Sequence, residues 1–310
     1  MKFVVLSFFE YGVIIACIQN IGGAMGFISA FYLMTIVVGI SIQNIVKKGF
    51  NNKTSGKNVL VFNAFSVLIA CMFFFVISGF KFPFSFSALP FILGFATSYF
   101  CAVLFTFLAI QVGSLSLTSL VTSYSLILPA LYGLIFDGDS STVWLYIGLA
   151  LLVISIVLLN AKKDDSKITF KWAVFAAFAL IGNGACAIIQ TEQTKQFNGA
   201  YDKTFMAIAL GIVFIAFLLF ALFYEREEIL PSLKKGTHFM IICGVANGAS
   251  NLLVMIASTM INKSVMFPII SAGGIVVTWL VSVFLYKEKL NKWQNLAMLL
   301  GIVSIIFLNI

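Results

Sequence analysis

The chain has few charged residues, and among them only one arginine. Of its 310 residues, 10% are charged and 61% are hydrophobic, and the mean hydropathy is +1.09. A soluble domain usually carries about 25% charged residues and about 45–50% apolar ones. The chain therefore has too few charges to cover a water-soluble surface, which excludes a soluble enzyme, a disordered chain and a DNA-binding domain. Basic membrane loops account for the net charge of +8, so we expect no nucleic-acid partner.

The sequence also lacks the residue patterns of a metal or disulfide site. His238 is the only histidine, and no two cysteines form a C-x-x-C pair. The cysteines all lie in apolar runs, where they are expected to be small buried residues. They are Cys17, Cys71, Cys101, Cys186 and Cys243. We therefore expect neither a cofactor nor a bound metal.

What the sequence has in abundance is long apolar segments separated by short polar breaks. A helix that spans a bilayer needs roughly 20 apolar residues. The candidate segments are 3–20, 27–46, 59–80, 87–110, 114–136, 142–160, 171–190, 204–224, 238–260, 264–286 and 290–310. This alternation predicts an all-α polytopic membrane protein in contact with the lipid bilayer. No break is long enough to form a soluble domain.

The second half of the chain repeats the first. Ser125–Asn160 aligns without a gap on Gly274–Asn309, so that a Trp, an acidic residue, a Ser and an Asn coincide. The aligned pairs are Trp144 with Trp293, Asp139 with Glu288, Ser155 with Ser304, and Asn160 with Asn309. Duplicated membrane halves are typical of secondary transporters, although any two apolar helices resemble each other to some degree. We predict a first five-helix repeat at 27–160, a cytoplasmic linker at 161–170 and a second repeat at 171–310.

Residues 1–26 have no counterpart in the second half, and we interpret them as an N-terminal extension. Segment 3–20 carries Glu10 at its middle, and a carboxylate there is costly in lipid. One interpretation is that translation begins at Met25. The alternatives are an eleventh helix and a signal-like segment.

The closing stretch of the chain carries a family resemblance. Residues 262–310 contain FPIISAGGIVVTWLVSVFLYKEKLNKWQNLAMLLGIVSIIFLN, an apolar helix, a Lys-Glu-Lys-Leu turn and a Gly-punctuated helix. The first half contains SLTSLVTSYSLILPALYG in its fourth helix. These segments resemble the drug/metabolite transporter superfamily, and the layout resembles its EamA-type ten-helix members. The resemblance implies two inverted five-helix halves around a central cavity, which carry small metabolites across the membrane.

The predicted core of ten helices holds essentially no ionisable residue. Glu192 is the borderline case, and we interpret it as a solvated loop carboxylate just past segment 171–190. Charged residues inside a membrane usually mark a functional pathway. Their scarcity predicts a neutral or zwitterionic substrate held by hydrogen bonds. It also argues against a membrane enzyme, which needs a base, a nucleophile or a metal.

Neutral polar residues at helical spacing are the remaining candidates for a binding site. The resemblance implies a cavity lined by the first, third and fourth helices of each half. The side chains that those helices offer for substrate binding are Gln43, Tyr99, Tyr124, Asn183, Gln190, Asn247 and Asn251. Asn247 and Asn251 are spaced i, i+4 and so share a helix face. The alternative is that these groups join helices together, as polar residues commonly do in membrane bundles.

We therefore predict a secondary transporter of small neutral or zwitterionic organic metabolites that works by alternating access. The alternative is a non-transporting integral membrane subunit or structural partner. Proton or ion coupling is left open, as is the choice between a monomer and a homodimer. We expect the protein in a bacterial cytoplasmic membrane.

Lysines are concentrated in alternate breaks, which predicts the orientation of the chain. The rich breaks hold Lys47, Lys48, Lys53 and Lys57; Lys162, Lys163, Lys167 and Lys171; Arg226, Lys234 and Lys235; and Lys287, Lys289 and Lys292. The intervening breaks hold only Lys81, Lys195, Lys203 and Lys263. By the positive-inside rule, the lysine-rich breaks are cytoplasmic.

Overall fold

The chain is all-helical throughout the part that its computed structural model describes. That part is residues 26–54, 58–112, 121–122, 124–139, 142–159, 169–284 and 292–307, apart from some side chains inside the helices. It contains α1 Phe27–Thr54, α2 Val59–Ile77, α3 Leu89–Val112, α4 Ile127–Phe136, α5 Val143–Leu159, α6 Phe170–Gln196, α7 Asp202–Tyr224, α8 Ile229–Ser258, α9 Lys263–Phe284 and α10 Lys292–Phe307. Short 3-10 helices precede α3, α4 and α8, at Phe86–Ala88, Tyr124–Leu126 and Arg226–Glu228.

Within the described ranges, six helical stretches are long and apolar enough to cross a bilayer. They are Phe27–Lys47, Val59–Ile77, Phe86–Ala109, Phe170–Gln196, Asp202–Tyr224 and Arg226–Ser258. Many large apolar side chains on these helices point away from the protein, among them Phe31, Val76 and Ile215. Exposed apolar surface on this scale requires a nonaqueous solvent. The chain is an integral membrane protein.

Three helices continue beyond the apolar segments that the sequence delimits. α1 runs on to Thr54, α6 runs on to Gln196, and α8 begins at Ile229, nine residues before segment 238–260. The helices therefore end or begin inside the polar breaks 47–58, 191–203 and 224–237, a few residues beyond the apolar segments. Hydropathy marks where the bilayer ends, whereas a helix can extend into water with polar side chains.

Two predicted segments lie wholly or mostly outside the described residues. The N-terminal extension at 1–26 is described only at Gly26, and the linker at 161–170 only at its last two residues. Those two residues belong to the start of α6. Thr169 is its N-cap, because its side chain accepts a hydrogen bond from the Trp172 N–H, and Phe170 is the first helical residue.

Helices from the two halves of the chain interleave. The principal pairs are α1 with α8, α3 with α6, α2 with α7, α5 with α10, α2 with α8 and α4 with α9, and each joins one half to the other. The main core lies between α2, α3, α7 and α8 and includes the fully buried Phe74, Phe95, Phe205 and Phe217. At the α5–α10 contact, the Trp144 and Phe307 rings stack with centroids 5.4 Å apart.

Contacts between helix ends sort the breaks onto two faces of the bundle. Glu225, after α7, accepts hydrogen bonds from the Leu60 and Val61 N–H groups at the start of α2. At the other end of the same helix pair, Lys203 donates to the Ile77 carbonyl. We call the end that carries Lys53, Arg226 and Lys234 the lysine-rich face. The end that carries Lys81, Lys195, Lys203 and Lys263 is the lysine-poor face.

Candidate functional site

Five of the predicted binding residues form one hydrogen-bonded group. The Asn247 amide Nδ2 donates to Gln43 Oε1 at 3.1 Å and to the Tyr99 hydroxyl at 3.4 Å. Asn251 Nδ2 donates to Asn247 Oδ1 at 3.0 Å, and Gln190 Nε2 donates to the Asn251 carbonyl at 2.8 Å. We call Gln43, Tyr99, Gln190, Asn247 and Asn251 the polar network. It joins α1, α3, α6 and α8, two helices from each half of the chain.

Small residues allow these helices to approach closely enough for the network to form. Gly39, one turn before Gln43 on α1, lies against the Ser250 hydroxyl of α8, so that any side chain there would collide with it. Gly182 of α6 lies against the backbone of α3, where an added Cβ would be 2.9 Å from the Ser98 oxygen and the Ala102 nitrogen. Close approach through small residues is a common feature of membrane bundles.

The network combines buried and partly exposed members. Gln43 and Gln190 are buried, whereas Tyr99, Asn247 and Asn251 are partly exposed. The Tyr99 ring lies beside that of Phe95, with centroids 5.8 Å apart. The group contains amide and hydroxyl donors and acceptors, an aromatic face and no charged side chain. Such a surface can hydrogen-bond an uncharged polar molecule and cover its apolar face.

The other two predicted residues lie apart from the network. Tyr124 begins the 3-10 helix before α4, and Asn183 lies on α6, seven residues before Gln190. Seven residues correspond to about 10.5 Å along a helix. The Ser125 carbonyl approaches Gly184, so Tyr124 and Asn183 are close to the contact between the start of α4 and α6. Among the described residues, no hydrogen bond connects either of them to the network.

A group of charged residues at the lysine-poor face was not predicted from the sequence. Lys263 Nζ lies 2.7 Å from Asp137 Oδ2 and also binds Glu192 Oε1. Lys195 Nζ lies 2.7 Å from Asp137 Oδ1. The interpretation of Glu192 as a solvated loop carboxylate is wrong, because it lies within α6 and is paired with a buried lysine. The available signal was the presence of opposite charges in breaks at the same face.

The two lysines determine the ionisation of Asp137, which follows the end of α4. Burial alone would raise the pKa of this carboxyl, but the hydrogen bonds from Lys195 and Lys263 hold its pKa below the usual value. Asp139, two residues on, accepts a hydrogen bond from the Ser264 N–H at 3.0 Å. The ends of α4, α6 and α9 are thus joined by charged and hydrogen-bonded contacts.

Comparison with known proteins shows what the chain is similar to. A solved protein, described only as a crystal structure of a protein, superposes with a TM-score of 0.73. The match covers 91% of this chain and 96% of that chain at 11% identity, so it shows a shared fold alone. No curated protein matches the chain.

A family model gives the more specific result. The model of the sugar transport protein family, a family of membrane transporters, matches residues 33–310. The match includes every residue of the polar network. It supports the predicted transporter class, while the EamA-type assignment stays a prediction. Because the matched residues cover most of its length, the chain belongs to the sugar transport protein family.

Proposed function

We propose that the protein is a secondary transporter of small, neutral, hydroxyl-rich solutes of the sugar type and that the polar network lines its binding site. The observation that carries this proposal is the uncharged hydrogen-bonded group of Gln43, Tyr99, Gln190, Asn247 and Asn251 between four helices. The family match supports the same class of activity.

The chemistry of the network favours a neutral solute over a charged one. A fixed charge on the solute would need a counter-charge or extensive hydration, because isolated ions are costly to desolvate. The network offers only amides and a hydroxyl, which donate and accept as sugar hydroxyls do. The rings of Tyr99 and Phe95 provide an apolar surface for the C–H face of a pyranose or furanose ring.

We also propose that α1–α5 and α6–α10 are inverted repeats. In such a repeat, α1, α2 and α3 correspond to α6, α7 and α8. When each helix is replaced by its counterpart, the α1–α8 contact becomes the α3–α6 contact, and the α2–α8 contact becomes the α3–α7 contact. The pairs α2–α7, α4–α9 and α5–α10 each join a helix to its own counterpart. An odd number of spans per repeat gives the halves opposite orientations, as alternating access between two repeats requires.

Uptake by purified protein in liposomes tests the proposed activity. We expect saturable uptake of labelled neutral monosaccharides and much slower uptake of sugar phosphates or sugar acids. Asn247→Leu removes the donor that Gln43 Oε1 and the Tyr99 hydroxyl share, so it should reduce uptake about tenfold or more. The matched control is Asn63→Leu on α2, because the Asn63 side chain donates to the Val59 carbonyl of its own helix and, within the described residues, bonds to no other helix.

The result separates transport from a purely structural role. Normal monosaccharide uptake by Asn247→Leu would show that the polar network does not line the binding site. A large loss of thermal stability in Asn247→Leu, with no solute taken up by the natural chain, would favour the non-transporting membrane subunit instead.

Coupling, assembly and location belong to the same proposal. We propose an EamA-type transporter in a bacterial cytoplasmic membrane. Imposed proton or sodium gradients in the liposomes separate ion-coupled from uncoupled movement, because only a coupling gradient concentrates the solute. Light scattering of the detergent complex distinguishes a monomer from a homodimer.

A further inference from the structure

Lys263 occupies an unusual position for a lysine at the start of a helix. Its side chain is only 5% exposed, and its ammonium group binds Asp137, which follows α4, and Glu192 of α6. The ammonium nitrogen is also 5.1 Å from the centre of the Tyr132 ring of α4. A buried charge is tolerated when it is paired on several sides, and removal of a partner is then strongly unfavourable. The Lys263 side chain therefore links the start of α9 to the end of α4 and to α6.

The other lysine that binds Asp137 differs in one respect. Lys195 makes an ion pair of the same 2.7 Å length, but its side chain is 60% exposed. An exposed ion pair contributes little, because water screens both charges. The two lysines therefore provide an internal comparison, in which the same carboxylate is paired once inside the protein and once at its surface.

A cleft of about 390 Å³ opens at the lysine-poor face, and Lys263 is part of its wall. Thr194 of α6 and Ser258 of α8 also line it. Thr194 lies four residues beyond Gln190, and Ser258 lies seven beyond Asn251, which at 1.5 Å per residue is about 6 Å and about 10.5 Å along the helices. The residues that flank the cleft thus share helix faces with the polar network.

We propose that Lys263 is the gate residue of the lysine-poor face. Its ion pairs with Asp137 and Glu192 hold the ends of α4, α6 and α9 together and close the path from the cleft to the polar network. When the path opens, water enters and hydrates the three charges, so that the pairs separate at low cost. When the water leaves, the same charges attract each other strongly. Hydration and closure are therefore coupled, which favours two discrete states. This inference rests on the proposed transport function.

Accessibility of a cysteine placed between the cleft and the network tests the gate without any solute. Val254→Cys on α8 is suitable, because position 254 is three residues after Asn251 and four before Ser258 and is partly buried. The natural cysteines are replaced by alanine in a background that keeps the melting temperature of the natural chain. Labelling by a membrane-impermeant thiol reagent is then measured in right-side-out and inside-out vesicles.

Two substitutions at position 263 separate charge from packing. Lys263→Met keeps the length of the side chain but removes the ammonium, so labelling from the lysine-poor face should become about tenfold faster or more. Lys263→Arg keeps the charge and can bind both carboxylates, so labelling should stay slow. If the side chain at position 263 only filled space, labelling would instead stay slow in Lys263→Met and become faster in Lys263→Arg. Lys195→Met, the matched control, should change the rate less than about twofold.

Unchanged labelling in a stable Lys263→Met protein would overturn the gate. If that variant does not fold, Glu192→Gln is used instead, because it removes one charged partner of Lys263 at nearly constant volume. Faster labelling of Glu192→Gln would then support the gate, and unchanged labelling would overturn it. The assay is independent of the proposed function. A gate that responds as expected in a protein that takes up no monosaccharide would overturn only the proposed function. Normal uptake with an unresponsive gate would overturn only this inference.

Discussion

Asn247 connects the polar network, because its side-chain amide reaches Gln43 on α1, Tyr99 on α3 and Asn251 on its own helix. Hydrogen bonds between membrane helices contribute modestly to stability, about 0.6 kcal/mol on average. If the polar network lines the proposed binding site, we therefore expect a change in it to alter binding more than assembly. This difference allows a change in affinity to be measured in a folded variant.

The Tyr99 hydroxyl can be removed without disturbing the ring that lies beside Phe95. Tyr99→Phe loses one hydrogen bond, which is worth about 0.5–1.5 kcal/mol. We therefore expect the KM for monosaccharide uptake to rise about 2- to 12-fold, with kcat and melting temperature almost unchanged. The control is Tyr146→Phe, since Tyr146 is an exposed residue of α5. A fall in kcat at constant KM would contradict the assignment of this hydroxyl to substrate binding.

At the level of helices, the α3–α6 contact depends on a residue without a side chain. Gly182→Ala would place a Cβ 2.9 Å from the α3 backbone, which cannot yield as a flexible side chain would. We expect it to destabilise the protein by about 1–3 kcal/mol, since overpacking typically costs that amount. Thermal unfolding in detergent measures the change.

Gly274→Ala on α9 is the matched control for that experiment. Among the described residues, an added Cβ at Gly274 meets no atom of another helix within 4 Å. Alanine is also the better helix former. Its melting temperature should be unchanged or slightly higher, and an equal loss in both variants would show that the α3 contact is not the cause.

The joined ends of α4, α6 and α9 also predict a response to acid. Because Lys195 and Lys263 hold the pKa of Asp137 below its usual value, its ionised form stabilises the folded protein at neutral pH. That stabilisation is lost as the pH falls through the lowered pKa. The difference in melting temperature between the natural chain and Asp137→Asn should thus stay constant from pH 7 to about pH 5 and shrink below about pH 4. A difference that shrinks above pH 5 would contradict the lowered pKa.

For the whole molecule, the two faces make the predicted orientation testable at exposed positions. Lys81 and Lys234 are both exposed and lie on opposite faces. Lys263, although it lies in a lysine-poor break, is buried and unsuitable for labelling. An impermeant thiol reagent added to intact cells should label Lys81→Cys and spare Lys234→Cys, because the lysine-rich face is expected to be cytoplasmic. Preferential labelling of Lys234→Cys would reverse the orientation.

Much of the candidate site could be predicted because helical periodicity is a local property. The i, i+4 spacing of Asn247 and Asn251 is enough to place them on one face. That Gln43 and Tyr99 meet Asn247, while Tyr124 and Asn183 lie elsewhere, depends on how α1, α3, α4 and α6 pack. Helix packing depends on contacts such as those of Gly39 and Gly182, which a single sequence does not assign to partners.

The sequence by itself determined that this protein lies in a lipid bilayer, because a chain with 61% hydrophobic and 10% charged residues can fold only in a membrane. It also determined the approximate positions of the helices, since each apolar run must satisfy its backbone hydrogen bonds internally. Only the tertiary structure decided which helices from the two halves pair. It also decided that Lys263, a lone lysine in a three-residue break, is buried between two carboxylates. Burial of a charge depends on partners distant in the chain, here at positions 137 and 192.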